Sequence, residues 1–175
     1  MNLEELSKSI FSGNKDLMEK LIFASIFIHQ NKMQTACDKL DSEITMKQWL
    51  LLAVVSTFEE PLSLSEIGEI MGCSRQNVKK LANSLEKKGF IKCIQKESDN
   101  RATCILLDEK MNEYISKVGD VQENVLKLLF EDFSAEEIKQ YFHLVSKLYT
   151  GIEKVENYAE EIKINRNKVI KNEKN

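Results

Sequence analysis

The stretch from Ser63 to Arg101, SLSEIGEIMGCSRQNVKKLANSLEKKGFIKCIQKESDNR, constrains the fold more than any other part of the chain. Ser63-Leu64-Ser65-Glu66 has capping-box spacing, in which a serine hydroxyl and a glutamate three residues later satisfy each other's backbone N–H groups. It opens a short helix carrying Ile67, Ile70 and Met71, and Gly72 supplies the left-handed stop. Ser74 caps a second helix, Arg75 to Lys88, which Gly89 ends. Phe90 to Lys96 reads as a strand, Glu97-Ser98-Asp99-Asn100 as a turn, and Ala102 to Leu107 as the return strand. Two short helices around a tight turn, followed by a charged hairpin, predict a helix-turn-helix with a wing.

The second helix has two faces. Val78, Leu81, Ala82 and Leu85 form an inward stripe, and Arg75, Gln76, Lys79, Lys80 and Asn83 fall opposite. Arginine can bond guanine in bidentate fashion, glutamine or asparagine can do so with adenine, and lysine meets phosphate. That face therefore has the chemistry of a helix laid in a DNA major groove. Charge distribution agrees. Residues 74–101 hold eight basic side chains (Arg75, Lys79, Lys80, Lys87, Lys88, Lys92, Lys96, Arg101) against Glu86, Glu97 and Asp99. This segment is net +5 in a chain of formal charge −3, so the remainder is acidic. The plainer reading of the same lysines is a solvated helix face.

Long helical patterns flank this core. Residues 2–12 form a short amphipathic segment, with Leu3, Leu6 and Ile10 on one face. A longer pattern runs from about Asp16 to Leu40, and its apolar positions spread over more than one face, which calls for more than one packing partner. Thr45-Met46-Lys47-Gln48 is another capping box, opening a helix to about Phe58, with Pro61 after it. Asp108 caps a helix to about Phe130, and Ser134-Ala135-Glu136-Glu137 opens a last one that reaches at least Tyr158. The polar residues 160–175 read as a fraying tail. The expected fold is mainly α with a small antiparallel β wing. Residues 44–108 make a winged helix-turn-helix, flanked by the long helices of residues 1–43 and of residues 109–175 with its polar tail.

The order of parts resembles the MarR family of bacterial winged-helix regulators. The resemblance rests on Ile44-Thr45…Gln48, Ser63-Leu64-Ser65-Glu66-Ile67-Gly68, Cys73-Ser74-Arg75-Gln76-Asn77-Val78, Leu85-Glu86-Lys87-Lys88-Gly89-Phe90-Ile91 and Asp99-Asn100-Arg101-Ala102. Asp108-Glu109-Lys110-Met111 departs from the family pattern, which usually has threonine first and glycine fourth. The resemblance implies a homodimer held by the terminal helices, a pseudo-palindromic double-stranded DNA operator, and control by a small molecule or an oxidant. It implies major-groove contacts from residues 74–83, among them Ser74, Arg75, Gln76, Asn77, Lys79, Lys80 and Asn83. In the wing, Lys96, Asn100 and Arg101 would grip backbone and minor groove, with Asp99 holding the wing's geometry.

The family's ligand site lies between the dimer helices and the winged-helix body. Phe23, Phe27, Met33, Trp49, Val54 and Phe58 are the side chains here that could line such a space for a small hydrophobic or phenolic ligand. An apolar stripe at that spacing is more often plain core. Cys37 and Cys73 are the candidates for oxidant sensing, Cys73 because it adjoins a helix cap and Arg75. Buried or half-buried thiols that pack as small hydrophobes are the commoner case. Two functional alternatives follow: a winged-helix module that binds an acidic protein, and a cysteine-based redox regulator. No metal or cofactor is expected, since the four cysteines form no C-x-x-C pair and His29 and His143 stand alone. No phosphate loop, H-E-x-x-H or G-x-S-x-G motif points to an enzyme. The acidic start lacks a long apolar run and no 18-residue apolar window occurs, so the expectation is a cytoplasmic protein without a membrane span.

Overall fold

The computed structural model describes residues 15–96 and 99–172, with side chains described for 15–95 and 102–166. The amphipathic segment read at residues 2–12 lies outside the described residues. Among those described, helices alternate with a single hairpin: α1 (Lys15–Cys37), α2 (Met46–Ser56), α3 (Leu64–Ile70), α4 (Arg75–Lys87), β1 (Ile91–Lys96), β2 (Asp99–Leu107), α5 (Lys110–Phe130) and α6 (Ala135–Asn172). The chain divides into two compact units, Met1–Gly119 and Asp120–Asn175. The fold is mainly α with a small antiparallel sheet, as the sequence predicts.

Local chemistry accounts for the helix starts in the first unit. Thr45 accepts from the backbone N–H of Gln48, and the Gln48 side chain accepts from the N–H of Thr45, closing the capping box. Ser63 and Glu66 repeat the arrangement for α3, and Ser74 accepts from the Asn77 N–H at the head of α4. Each such cap is worth about 1 kcal/mol. Gly72 and Gly89 adopt φ of +63° and +79°, the left-handed geometry that ends a helix without strain only in a residue lacking Cβ.

Packing then joins these pieces. Leu51, Leu52, Leu64, Ile67, Val78, Ala82, Leu85, Phe90, Ile91 and Ile105 are buried in one apolar cluster, with Met111 and Tyr114 of α5 completing it. The hairpin pairs Ile91 with Leu107 and Cys93 with Ile105, and its register shifts between Gln95 and Lys96. A bridge from Ser63 to Cys104 and a hydrogen bond from the Ile105 N–H to the Leu62 carbonyl fasten the hairpin to the start of α3.

The structure corrects three readings of the sequence. Phe90 lies before β1 rather than in it, and its ring is a fully buried part of the core. Asp99 and Asn100 belong to β2, so the connection at the wing tip is shorter than a four-residue turn. Residues 160–172 are helical rather than a frayed tail, because α6 runs unbroken to Asn172. That extension contains no glycine or proline, and its Glu160–Lys163 ion pair (3.1 Å) sits at helical i,i+3 spacing.

Candidate nucleic-acid interface

Helix α4 is held by one face only. Val78, Ala82 and Leu85 are buried where α4 packs on α2, α3 and β1, which leaves the opposite face in solvent. Ser74, Arg75, Gln76, Asn77, Lys79, Lys80 and Asn83 are all exposed. Apart from the Ser74 cap on the Asn77 backbone, none of these side chains takes part in a hydrogen bond or ion pair among the described residues. The structure therefore gathers the predicted major-groove set on one surface and leaves its donors unspent.

The turn before α4 depends on a close approach that the sequence does not announce. A Cβ built on Gly68 would lie 2.7 Å from the Cys73 carbonyl oxygen, inside any real contact distance. Gly68 is buried in the middle of α3, where the chain folds back to start α4. Only a residue without a side chain lets the two helices meet at this distance.

The neighbouring lysines divide differently from what charge counting implies. Lys88 donates to the Glu43 carbonyl (2.6 Å) and to Gln48 Oε1 (3.3 Å). Lys92 Nζ pairs with Asp108 Oδ2 at 2.8 Å. That hydrogen bond holds the Asp108 carboxyl below its ordinary pKa and raises that of Lys92. Among the described side chains of residues 74–101, Lys88 and Lys92 are thus engaged within the fold, whereas Arg75, Lys79 and Lys80 are not. Glu86, one of the three acids of that segment, accepts from the Cys93 N–H (2.8 Å) and ties α4 to β1.

In the wing, the backbone of Lys96 and of Asp99 to Arg101 is strand. The side chains of Lys96, Asn100 and Arg101, expected from the resemblance to contact groove and backbone, and of Asp99, expected to hold the wing's geometry, lie outside those described. Of the apolar set, Phe23 and Phe27 meet edge to face at 5.2 Å on α1. Trp49 is packed against the buried cluster, Met33 and Val54 are half-buried, and Phe58 stands exposed beyond the end of α2.

The four cysteines are free thiols. Cys37 is the last residue of α1 and is half-buried. Burial, and then the Glu86 carboxylate, push the Cys93 thiol above its ordinary pKa. Among the described residues no group of three His, Cys, Asp or Glu could hold a metal ion, and no helix is long and apolar enough to cross a membrane.

One contact of a buried polar side chain goes beyond the capping role that its sequence position announces. Gln48 is 5% exposed, and besides closing the α2 capping box it donates from Nε2 to Ser84 Oγ of α4 at 2.9 Å. Thirty-six residues separate the pair, and no local signal marks it.

Comparison with known proteins agrees with this architecture. The MarR family model matches residues 44–103. The transcriptional repressor MprA of Escherichia coli K12 is 25% identical over 159 residues, covering 88% of this chain and 90% of the repressor. A MarR/EmrR family transcriptional regulator from Acinetobacter sp. ADP1 superposes with a TM-score of 0.69 at 25% identity, over 78% of this chain and 98% of that one. The MepR protein of S. aureus, solved as a DNA complex, has a TM-score of 0.65 at 19% identity, over 74% and 97% of the two chains, a likeness of fold. The winged helix-turn-helix stands where the MarR family model matches, and in that region the chain is similar to MarR-family transcriptional regulators.

Proposed function

We propose that this protein is a homodimeric, sequence-specific DNA-binding regulator, a repressor acting in the cytoplasm on a pseudo-palindromic operator, by binding and not by catalysis. The observation that carries the reading is the α4 surface. Its apolar face is buried, and its exposed face offers Arg75, Gln76, Lys79, Lys80 and Asn83 with no partner among the described residues. Those groups match base edges and phosphates.

One such helix supplies too little contact to single out a genomic site. Two copies set about 34 Å apart double the readout. The means of pairing are the flanking helices. Helix α1 has no buried residue and exposes Ile22, Phe23, Ile26 and Phe27; α6 exposes Phe142, Tyr149 and Val155. Apolar surface on this scale marks an interaction site. In the wing, Arg101 enters the minor groove, favoured where that groove is narrow and its potential more negative, and Asp99 steadies it. A small hydrophobic or phenolic ligand among Phe23, Phe27, Met33, Trp49, Val54 and Phe58 modulates binding.

The test uses a duplex selected by the wild-type protein from a random pool. Replacing Arg101 with Ala should weaken binding by about 1–3 kcal/mol at fixed salt, with the dimer intact by sedimentation. Unchanged affinity would sink the wing assignment.

A further inference from the structure

The end of α1 and the first turns of α5 reach α4 through one polar node, residues 38–48. At the end of α1, Asp38 Oδ1 accepts from the Met46 N–H (2.6 Å), which heads α2. Asp41 Oδ1 accepts from the N–H groups of Glu43 (2.6 Å) and Ile44 (3.3 Å), and its Oδ2 accepts from the Tyr114 hydroxyl of α5. One turn further along α5, Lys117 Nζ meets Glu43 Oε1 at 2.6 Å. From the other side, α4 enters through Ser84, held by buried Gln48, and through Lys88, which donates to the Glu43 carbonyl and to Gln48 Oε1. Lys110 of α5 donates to the Lys88 carbonyl (2.9 Å) and lies over the Phe90 ring, 4.4 Å from its centroid.

We propose that this node positions α4, with the Tyr114–Asp41 and Gln48–Ser84 hydrogen bonds linking the first turns of α5 to the C-terminal half of the DNA-reading helix. The inference rests on the function proposed above, in that orientation of α4 matters because α4 reads DNA. Its physical basis is the contrast between the two ends of α4. The N-terminal half carries Arg75, Gln76, Lys79 and Lys80, most of the exposed, uncommitted side chains, so its direction in space is set by what grips the other half. That grip combines the apolar contacts of Ala82 and Leu85, which tolerate sliding, with directional bonds, which do not. Burial, and then the Asp41 carboxylate, raise the Tyr114 pKa well above its ordinary value, so its hydroxyl remains a donor throughout the neutral range. Since α5 continues to Phe130, any displacement of its first turns has a hydrogen-bonded route to α4. Tyr114, Asp41, Gln48 and Ser84 are positioning residues and touch no DNA themselves.

Tyr114→Phe tests this with little other disturbance, because the ring keeps its edge-to-face contact with Phe90 (5.3 Å) and loses only the hydroxyl. In the full-length protein, amide hydrogen exchange over residues 81–89 should accelerate about three- to tenfold, a typical size for coupling within a hydrogen-bond network, with residues 64–70 unchanged. Affinity for the selected duplex should fall by a similar factor. Asp41→Asn should behave nearly as wild type, since its amide can donate to the tyrosine oxygen. Ser84→Ala should loosen the same segment, and the double variant should lose less than the two single effects combined. Unchanged exchange at 81–89 in the Tyr114 variant, loosening spread evenly over 44–107, or strict additivity would overturn the proposal. Because exchange is read without DNA, a wild-type protein that selects no duplex would overturn the DNA reading while the exchange comparison still decides the node.

Discussion

The winged-helix body and the helices that flank it are built on opposite terms. In the body, Leu51, Leu52, Ile67, Leu85, Phe90, Ile91 and Ile105 are shielded from water by neighbours within the same chain. In α1 no residue is buried, and none of the described side chains of α6 is. Both parts are rich in apolar side chains, so composition does not separate them. What differs is whether the apolar positions find partners inside one copy. The body covers its apolar side chains within one copy, and α1 and α6 carry apolar surface that a single copy leaves exposed.

That contrast is open to direct attack. The largest expected effect is Phe90→Ala, which empties the centre of the body and should cost about 3–5 kcal/mol in urea unfolding. Gly68→Ala comes next. Its methyl group would meet the Cys73 carbonyl at 2.7 Å, so the α3–α4 turn must shift, at about 1–3 kcal/mol. A Gly68→Ala variant as stable as wild type would show that the close approach carries no strain. The smallest effect on the body should come from Phe27→Ser on α1, within about 0.5 kcal/mol for unfolding of the winged helix, while sedimentation velocity shows dimer shifting to monomer. Equal losses of body stability from Phe27→Ser and Phe90→Ala would abolish the distinction between the two regions.

How far the sequence could be read follows the range of the interactions. Thr45 with Gln48, Ser63 with Glu66, and Gly72 and Gly89 act within a few residues, and all four took the form their spacing predicts. The fold class and the inward stripe of α4 were legible for the same reason, since helical periodicity is local. Long-range partners were not. Nothing around Gln48 announces Ser84, and nothing around Lys88 or Lys92 shows that their charges meet Glu43, Gln48 and Asp108. Counting charge along the chain therefore treats as one group lysines that the fold divides into two. The reading of residues 160–175 as a tail went wrong for a related reason. Polarity alone does not end a helix, and an exposed helix with i,i+3 pairing and no breaker continues through polar residues.

The division of the lysines leads to the most direct measurement. Binding of wild-type protein to the selected duplex should weaken steeply with salt, and each phosphate contact removed should flatten the slope of log K against log salt by about 0.9. Lys79→Ala and Lys80→Ala should each flatten it by about that amount, whereas Lys92→Ala, whose charge is already paired with Asp108, should leave it as in wild type. Identical slopes for all three variants, or no salt dependence in the wild type, would contradict the assignment of the open face of α4 to DNA.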